Sequence, residues 1–205
     1  MERSLNQKNN LKRILYVLFI TTIIISCSKI ESKRFYYPTK EFFSGEKKLD
    51  TLNFSDFSNF EEIQETLWKS LNNNESTSIF LIEKENIEYY FYVPMEYENI
   101  NLLLKYKNFI SISKDSIFQW EKVDHIDNLE KKLRKNLLNF GKNNKYADNP
   151  EKFKITFLNP EKESMLEMKE SIIKVFETYN KIEKKNKEKL QLNILFQKEP
   201  LNLKK

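Results

Sequence analysis

Glycine, cysteine and histidine are almost missing from this chain: its 205 residues hold two glycines, one cysteine and one histidine. With only Gly45 and Gly141, no phosphate-cradling loop, dinucleotide-binding turn or nucleophile elbow can be written. The single histidine, His125, has no second imidazole or free thiolate with which to share a metal, so neither a metal site nor a cofactor is expected. It follows Asp124 and reads as a surface or capping residue. A lone cysteine also excludes a disulfide within the chain, so packing alone must hold the fold. The material for packing is present in 16 Phe, 10 Tyr and two Trp, too aromatic a composition for a disordered chain.

Charge of one sign is lacking as well. The chain carries 35 Lys+Arg against 30 Asp+Glu, but residues 1–26 hold four basic residues and one acidic residue, so the remainder balances at 31 against 29. Lysines and glutamates are interspersed, as in EKKNKEK at 183–189. This is the pattern of a solvated mixed surface, and no nucleic-acid partner is expected. Carboxylates are plentiful, and Glu161, Glu163, Glu167 and Glu170 offer the material for an acid–base pair. They alternate with lysines on a helix exterior, where i,i+4 pairing is the ordinary explanation. No catalytic residue is assigned and an enzyme is not expected; a periplasmic hydrolase using carboxylates is the alternative.

What is present begins at the N-terminus. Arg3, Lys8, Lys12 and Arg13 precede a 12-residue apolar run, Ile14 to Ile25, broken only by Thr21 and Thr22. As a helix such a run reaches about 18 Å, short of the ~30 Å hydrocarbon core of a bilayer. The layout is that of a signal peptide. Ile24, Ile25, Ser26 and Cys27, the only cysteine, close the run. These four residues resemble the lipobox of bacterial lipoproteins. The resemblance implies a diacylglyceryl group on the Cys27 thiol, cleavage after Ser26, acylation of the new amino terminus by a chain such as palmitate, and a lipid-anchored protein of the bacterial cell envelope. The outer membrane or the periplasmic face is expected rather than the inner membrane. Several acyl chains on one cysteine make a lasting anchor, where one holds only marginally.

Residues 27–50 show no sustained period and include Pro38 and Gly45, which reads as a tether, docked if at all through its aromatic pairs. Residues 51–205 are expected to form a single α+β domain with a mixed sheet. Ser58 and Glu61 suggest a capping box for a helix whose Phe60, Ile63, Leu67 and Leu71 share a face. SIFLIE (78–83) and IEYYFYV (87–93) read as a hairpin, followed by strands at FISIS (109–113) and SIFQW (116–120). A helix capped by Asp124 and closed by Gly141 carries Ile126, Leu129, Leu133, Leu137 and Phe140. KFKITF (152–157) points Phe153, Ile155 and Phe157 inward, with Lys154 and Thr156 outward. Asn159 and Pro160 open a last helix with Met165, Met168, Ile172, Val175 and Tyr179 buried, and LQLNILF (190–196) is the last strand.

The order of ISISKDSIFQW, VDHIDNLEKKLRKNLLNF, KFKITFLNPEKESMLEMKESIIKVFETYNKI and LQLNILF resembles the periplasmic domain of the ExbD/TolR biopolymer-transport family, over residues 109–196. Two strand–helix–strand units with amphipathic helices suggest a sheet covered on one face by both helices, and the resemblance implies, as a functional alternative, a component of such a transport system. One departure stands out: family members carry an acidic residue in a spanning N-terminal helix, and Ile14 to Ile25 hold none, so the energising role does not carry over.

The expected function is therefore a membrane-anchored envelope lipoprotein acting as a non-catalytic binding or adaptor module for an envelope protein or wall component. The candidate contact surface is Tyr89, Tyr90, Phe91 and Tyr92. Alternating faces on a strand would send one pair into the core and leave the other as an amphipathic platform, unless helices bury both.

Overall fold

The computed structural model describes residues 32–45, 48–73, 77–94, 106–119, 122–158 and 164–197. Residues 1–26, expected as a signal peptide, together with Cys27, Trp120 and the Asn159–Pro160 pair lie outside the described residues. Those described from Lys33 onward belong to one unit. It is mixed α+β, as expected, but built on two sheets rather than one.

The first sheet comes from the N-terminal half. Strands β1 (Lys33–Tyr37), β2 (Leu49–Asn53), β3 (Thr77–Lys84) and β4 (Ile87–Phe91) lie in the order β1-β4-β3-β2. β3 and β4 form the expected antiparallel hairpin, while β1 runs parallel to β4 and β2 parallel to β3. The stretch expected as a tether thus supplies an edge strand and a short helix, α1 (Lys40–Phe43), and β2 starts within it. KRFYY escapes a period-2 reading because its two polar residues are adjacent and three consecutive aromatics occupy both of its faces.

Helix α2 (Phe60–Asn73) makes the parallel connection from β2 to β3 and buries Phe60, Ile63 and Leu67. Its cap is one residue later than expected: the Glu62 N–H donates to Asn59 Oδ1 (3.0 Å), and the Ser58 N–H donates to the Glu62 carboxylate (2.8 Å). Two neighbouring residues of capping type made the choice ambiguous.

The second sheet has the order β7-β6-β5-β8-β9, from β5 (Phe109–Ser113), β6 (Ser116–Gln119), β7 (Lys122–His125), β8 (Lys154–Leu158) and β9 (Asn193–Gln197). Helix α3 (Leu129–Leu137) follows β7, and α4 (Met165–Glu183) links the parallel strands β8 and β9. Strand β7 was not expected. It places Asp124 on a strand, where its carboxylate pairs with Lys132 at 2.5 Å, and the turn before α3 is instead capped by His125, whose Nδ1 accepts the Asp127 N–H. α3 ends at Leu137, so Phe140 lies beyond the helix, and Phe140 and Gly141 both take left-handed backbone (φ 44° and 74°) in the loop that follows. α4 starts five residues after Pro160, where Ser164 and Glu167 form a reciprocal capping box.

One core joins both sheets. Ile110, Ile112, Ile155 and Ile194 turn to it from the second sheet, and Phe80, Ile82, Tyr89 and Phe91 from the first. Phe196 of β9 connects them directly, with ring centroids 5.5 Å from Phe60, 6.4 Å from Phe80 and 6.2 Å from Phe157. α4 is buried from Met168 through Ile172, Ile173, Val175, Phe176, Tyr179 and Asn180 to Ile182. At 100° per residue these positions cover about half its circumference, against the ~100° stripe of a surface helix. Such a helix needs cover on more than one side, and Phe176 finds some of it on Tyr37, Tyr89 and Phe91 of the first sheet.

The loop from 138 to 152 is held by asparagines. Fully buried Asn136 accepts from Gln119 Nε2 (3.1 Å) and from the Ala147 N–H (3.1 Å), and donates to the Lys132 carbonyl (2.9 Å). Asn139 donates to the carbonyls of Asn143 and Ala147, and Asn108 accepts the Asp148 N–H. On β8 the alternation is overridden: Thr156, expected outward, is buried, and its hydroxyl has no hydrogen-bond partner in the structure.

Candidate functional site

The aromatic run on β4 divides as period 2 requires. Tyr89 and Phe91 are buried in the core, whereas Tyr90 and Tyr92 lie half-buried on the outer face of the first sheet. Register explains the neighbours: Tyr36 pairs with Tyr90 and Arg34 with Glu88 across β1 and β4, while Leu81 of β3 flanks Tyr90 on the other side. Backbone pairing continues past β4, since the Tyr92 N–H donates to the Tyr37 carbonyl at 3.0 Å.

α1 then folds two more rings onto the same face. Thr39 caps it, its Oγ1 accepting the Phe42 N–H at 3.4 Å. The outcome is a chain of touching rings in which centroid separations are 5.2 Å for Tyr90–Tyr36, 5.5 Å for Tyr36–Phe43, 5.3 Å for Phe43–Phe42 and 4.8 Å for Phe42–Tyr92. Pairs of this kind contribute about 0.5–1.5 kcal/mol each beyond the area they bury. Phe42 remains 41% exposed, one of the few large apolar side chains so open to solvent among the described residues.

Charge sits at one border of this face, where Arg34 and Glu88 pair and exposed Glu83 lies opposite Glu88. Arg34 Nε and the Tyr90 hydroxyl both donate to Glu88 Oε2, each at 2.8 Å. The Tyr90 phenol is pushed up to about 12, chiefly by burial and secondly by Glu88, so at neutral pH it keeps its proton and acts as a donor. The rings of Tyr36, Phe42 and Phe43 were missed as site residues because their segment read as a tether, although the pairs FYY and FF were the available signal.

The other expected positions do not converge on this face. Glu167 is tied into the α4 cap, and hydrogen bonding from the Ser164 backbone holds its carboxyl below the usual range, which makes it a poor proton donor near neutrality. Glu170 is exposed; Glu161 and Glu163 lie outside the described residues. His125 is exposed beside Asp127. Among the described residues no group of three or more His, Cys, Asp or Glu is placed to hold a metal ion, and no helix is long and apolar enough to cross a membrane.

Comparison of the chain with protein families, with curated proteins and with solved structures finds no match. The arrangement itself is an amphipathic face: stacked rings with phenolic hydroxyls, bordered by the Arg34–Glu88 ion pair and by exposed Glu83.

Proposed function

We propose that the protein is a lipid-anchored lipoprotein of the bacterial cell envelope whose α+β domain is a non-catalytic binding module, with the ring-lined face of the first sheet as its contact surface. The observation that carries this reading is the position of Cys27. It closes a signal-type apolar run and stands only five residues, 28–32, ahead of the first strand at Lys33. Cleavage after Ser26 would therefore remove no residue of the described fold. Tyr90 and Tyr92, the outward members of the aromatic run, are then the anchors of the contact, a role for which tyrosine suits because one end is apolar and the other polar.

Mass spectrometry of the mature N-terminus tests the anchor. Two acyl chains on Cys27 thioether-linked glycerol and a further chain on its amine are the expected result, and a Cys27→Ser variant should lose membrane retention. An unmodified Cys27 in an uncleaved chain refutes the reading.

A second reading, a component of an ExbD/TolR-type transport system, is favoured by the element order from β5 to β9, which runs strand, strand, helix, strand, helix, strand apart from the added β7. Crosslinking in the native envelope separates the two: inner-membrane motor subunits as neighbours support the second reading, and outer-membrane or wall components the first.

A further inference from the structure

Accepting that Cys27 carries the lipid, we infer that the surface contacted by the ring-lined face is the lipid headgroup layer of the membrane that holds the anchor. The argument rests on chain length. From Cys27 to Lys33 the chain is six Cα–Cα steps, which span at most roughly 20 Å when fully extended. A domain the size of residues 33–205 has a radius of gyration of about 16 Å, and hence a diameter of roughly 40 Å. The tether is shorter than the body it holds, so the end of the domain at which β1 begins is kept within about 20 Å of the bilayer.

β1 leads straight from that tether into the aromatic face. Tyr36 is three residues beyond Lys33, about 10 Å along the strand. Around it lie Tyr90, Phe43, Phe42 and Tyr92, with half-buried Leu81 alongside. This is the composition favoured at the membrane interface, where a ring rests among acyl ends and a hydroxyl among headgroups. Of the bordering charges, Arg34 and Glu88 neutralise one another, whereas exposed Glu83, opposite Glu88 in the β3–β4 register, leaves a carboxylate at the rim, where it can stay at headgroup depth in water. A short tether also holds the surface and the bilayer at an effective concentration on the order of millimolar, so weak ring insertion suffices. A protein partner on the same face would have to enter a gap of at most roughly 20 Å.

The test uses the full lipidated protein in vesicles of phosphatidylethanolamine and phosphatidylglycerol. A thiol-reactive fluorophore is placed at Phe42→Cys or, as control, at Lys69→Cys on α2, which packs against the opposite face of the sheet and leaves Lys69 open to solvent. Lipids spin-labelled near the headgroup serve as the quencher. Quenching several-fold stronger at position 42 than at position 69 is the expected result. Equal quenching, or stronger quenching at 69, overturns the inference while leaving the anchor in place. Mass analysis of the same preparation distinguishes the premise: a Cys27 without lipid takes away both the anchor and the inference.

Discussion

Tyr37 lies flat on Phe176, with ring centroids 4.1 Å apart and planes within 7° of parallel. Its hydroxyl continues past the ring to donate to Asn180 Oδ1 at 2.9 Å, one turn further along α4. A single side chain at the end of an edge strand thus fixes β1 to the central helix by both stacking and a buried hydrogen bond.

Replacing Tyr37 by Phe keeps the stack and removes the donor from buried Asn180. The expected cost is about 1–3 kcal/mol, the price of one unsatisfied buried acceptor. Urea denaturation measures it; a change within experimental error would show that Asn180 finds another donor.

Alkali should unfold the domain. Burial pushes Tyr89 up to about 12 and raises Tyr37 and Tyr179 further still. In the unfolded chain such phenols ionise near 10, so as pH rises the unfolded state releases protons that the folded state retains. This contribution is full below about pH 10, where both states are protonated, and is lost as pH climbs toward 12 and beyond. Denaturant midpoints measured on either side of pH ~10 should fall on the alkaline side, and Tyr37→Phe should reduce the slope. A flat profile contradicts the burial of these rings.

Leu133 and Ile172 are fully buried, one on each helix of the second sheet. Either change to alanine is expected to cost about 2–5 kcal/mol. Losses below about 0.5 kcal/mol, the range of surface substitutions, would mean that the helices present other faces to the core.

Asn136→Ala strips the acceptor from Gln119 and from the Ala147 N–H, at about 1–3 kcal/mol for each group left unpaired. Amide exchange should accelerate at Ala147 well beyond the global change in stability. Unchanged protection at that amide would show that Asn139 and Asn108 hold the loop without Asn136.

The helices and most strands were legible in the sequence because burial on one side writes a period: Ile110 and Ile112 against Ser111 and Ser113, or Leu129, Leu133 and Leu137 at helical spacing. β1 was not legible, since its polar residues Lys33 and Arg34 are adjacent and its aromatics Phe35, Tyr36 and Tyr37 run consecutively, one face stacking on α4 and the other on α1, so no alternation is written. β7 reads KVDH, with Val123 62% exposed, too little apolar content for any pattern. The caps were shifted by one to five residues because Ser58 and Asn59, or Asn159 and Ser164, satisfy the same chemical requirement and sequence gives no means of choosing. At the site the alternation of Tyr89 to Tyr92 was foreseen as one of two outcomes, while Phe42 and Phe43 depended on the position of α1, which tertiary packing alone determines.

The attachment of β1 also sets a timetable for assembly. The strand emerges first among the described elements, yet its partners are β4, half a sheet later, and Phe176 in the last helix. Until α4 has been synthesised, Tyr37 lacks both the Phe176 ring and the Asn180 acceptor, although the backbone of β1 can already pair with β4. The first strand of the described fold is therefore the last to be fully secured, because its side-chain anchor arrives only with the C-terminal third of the chain.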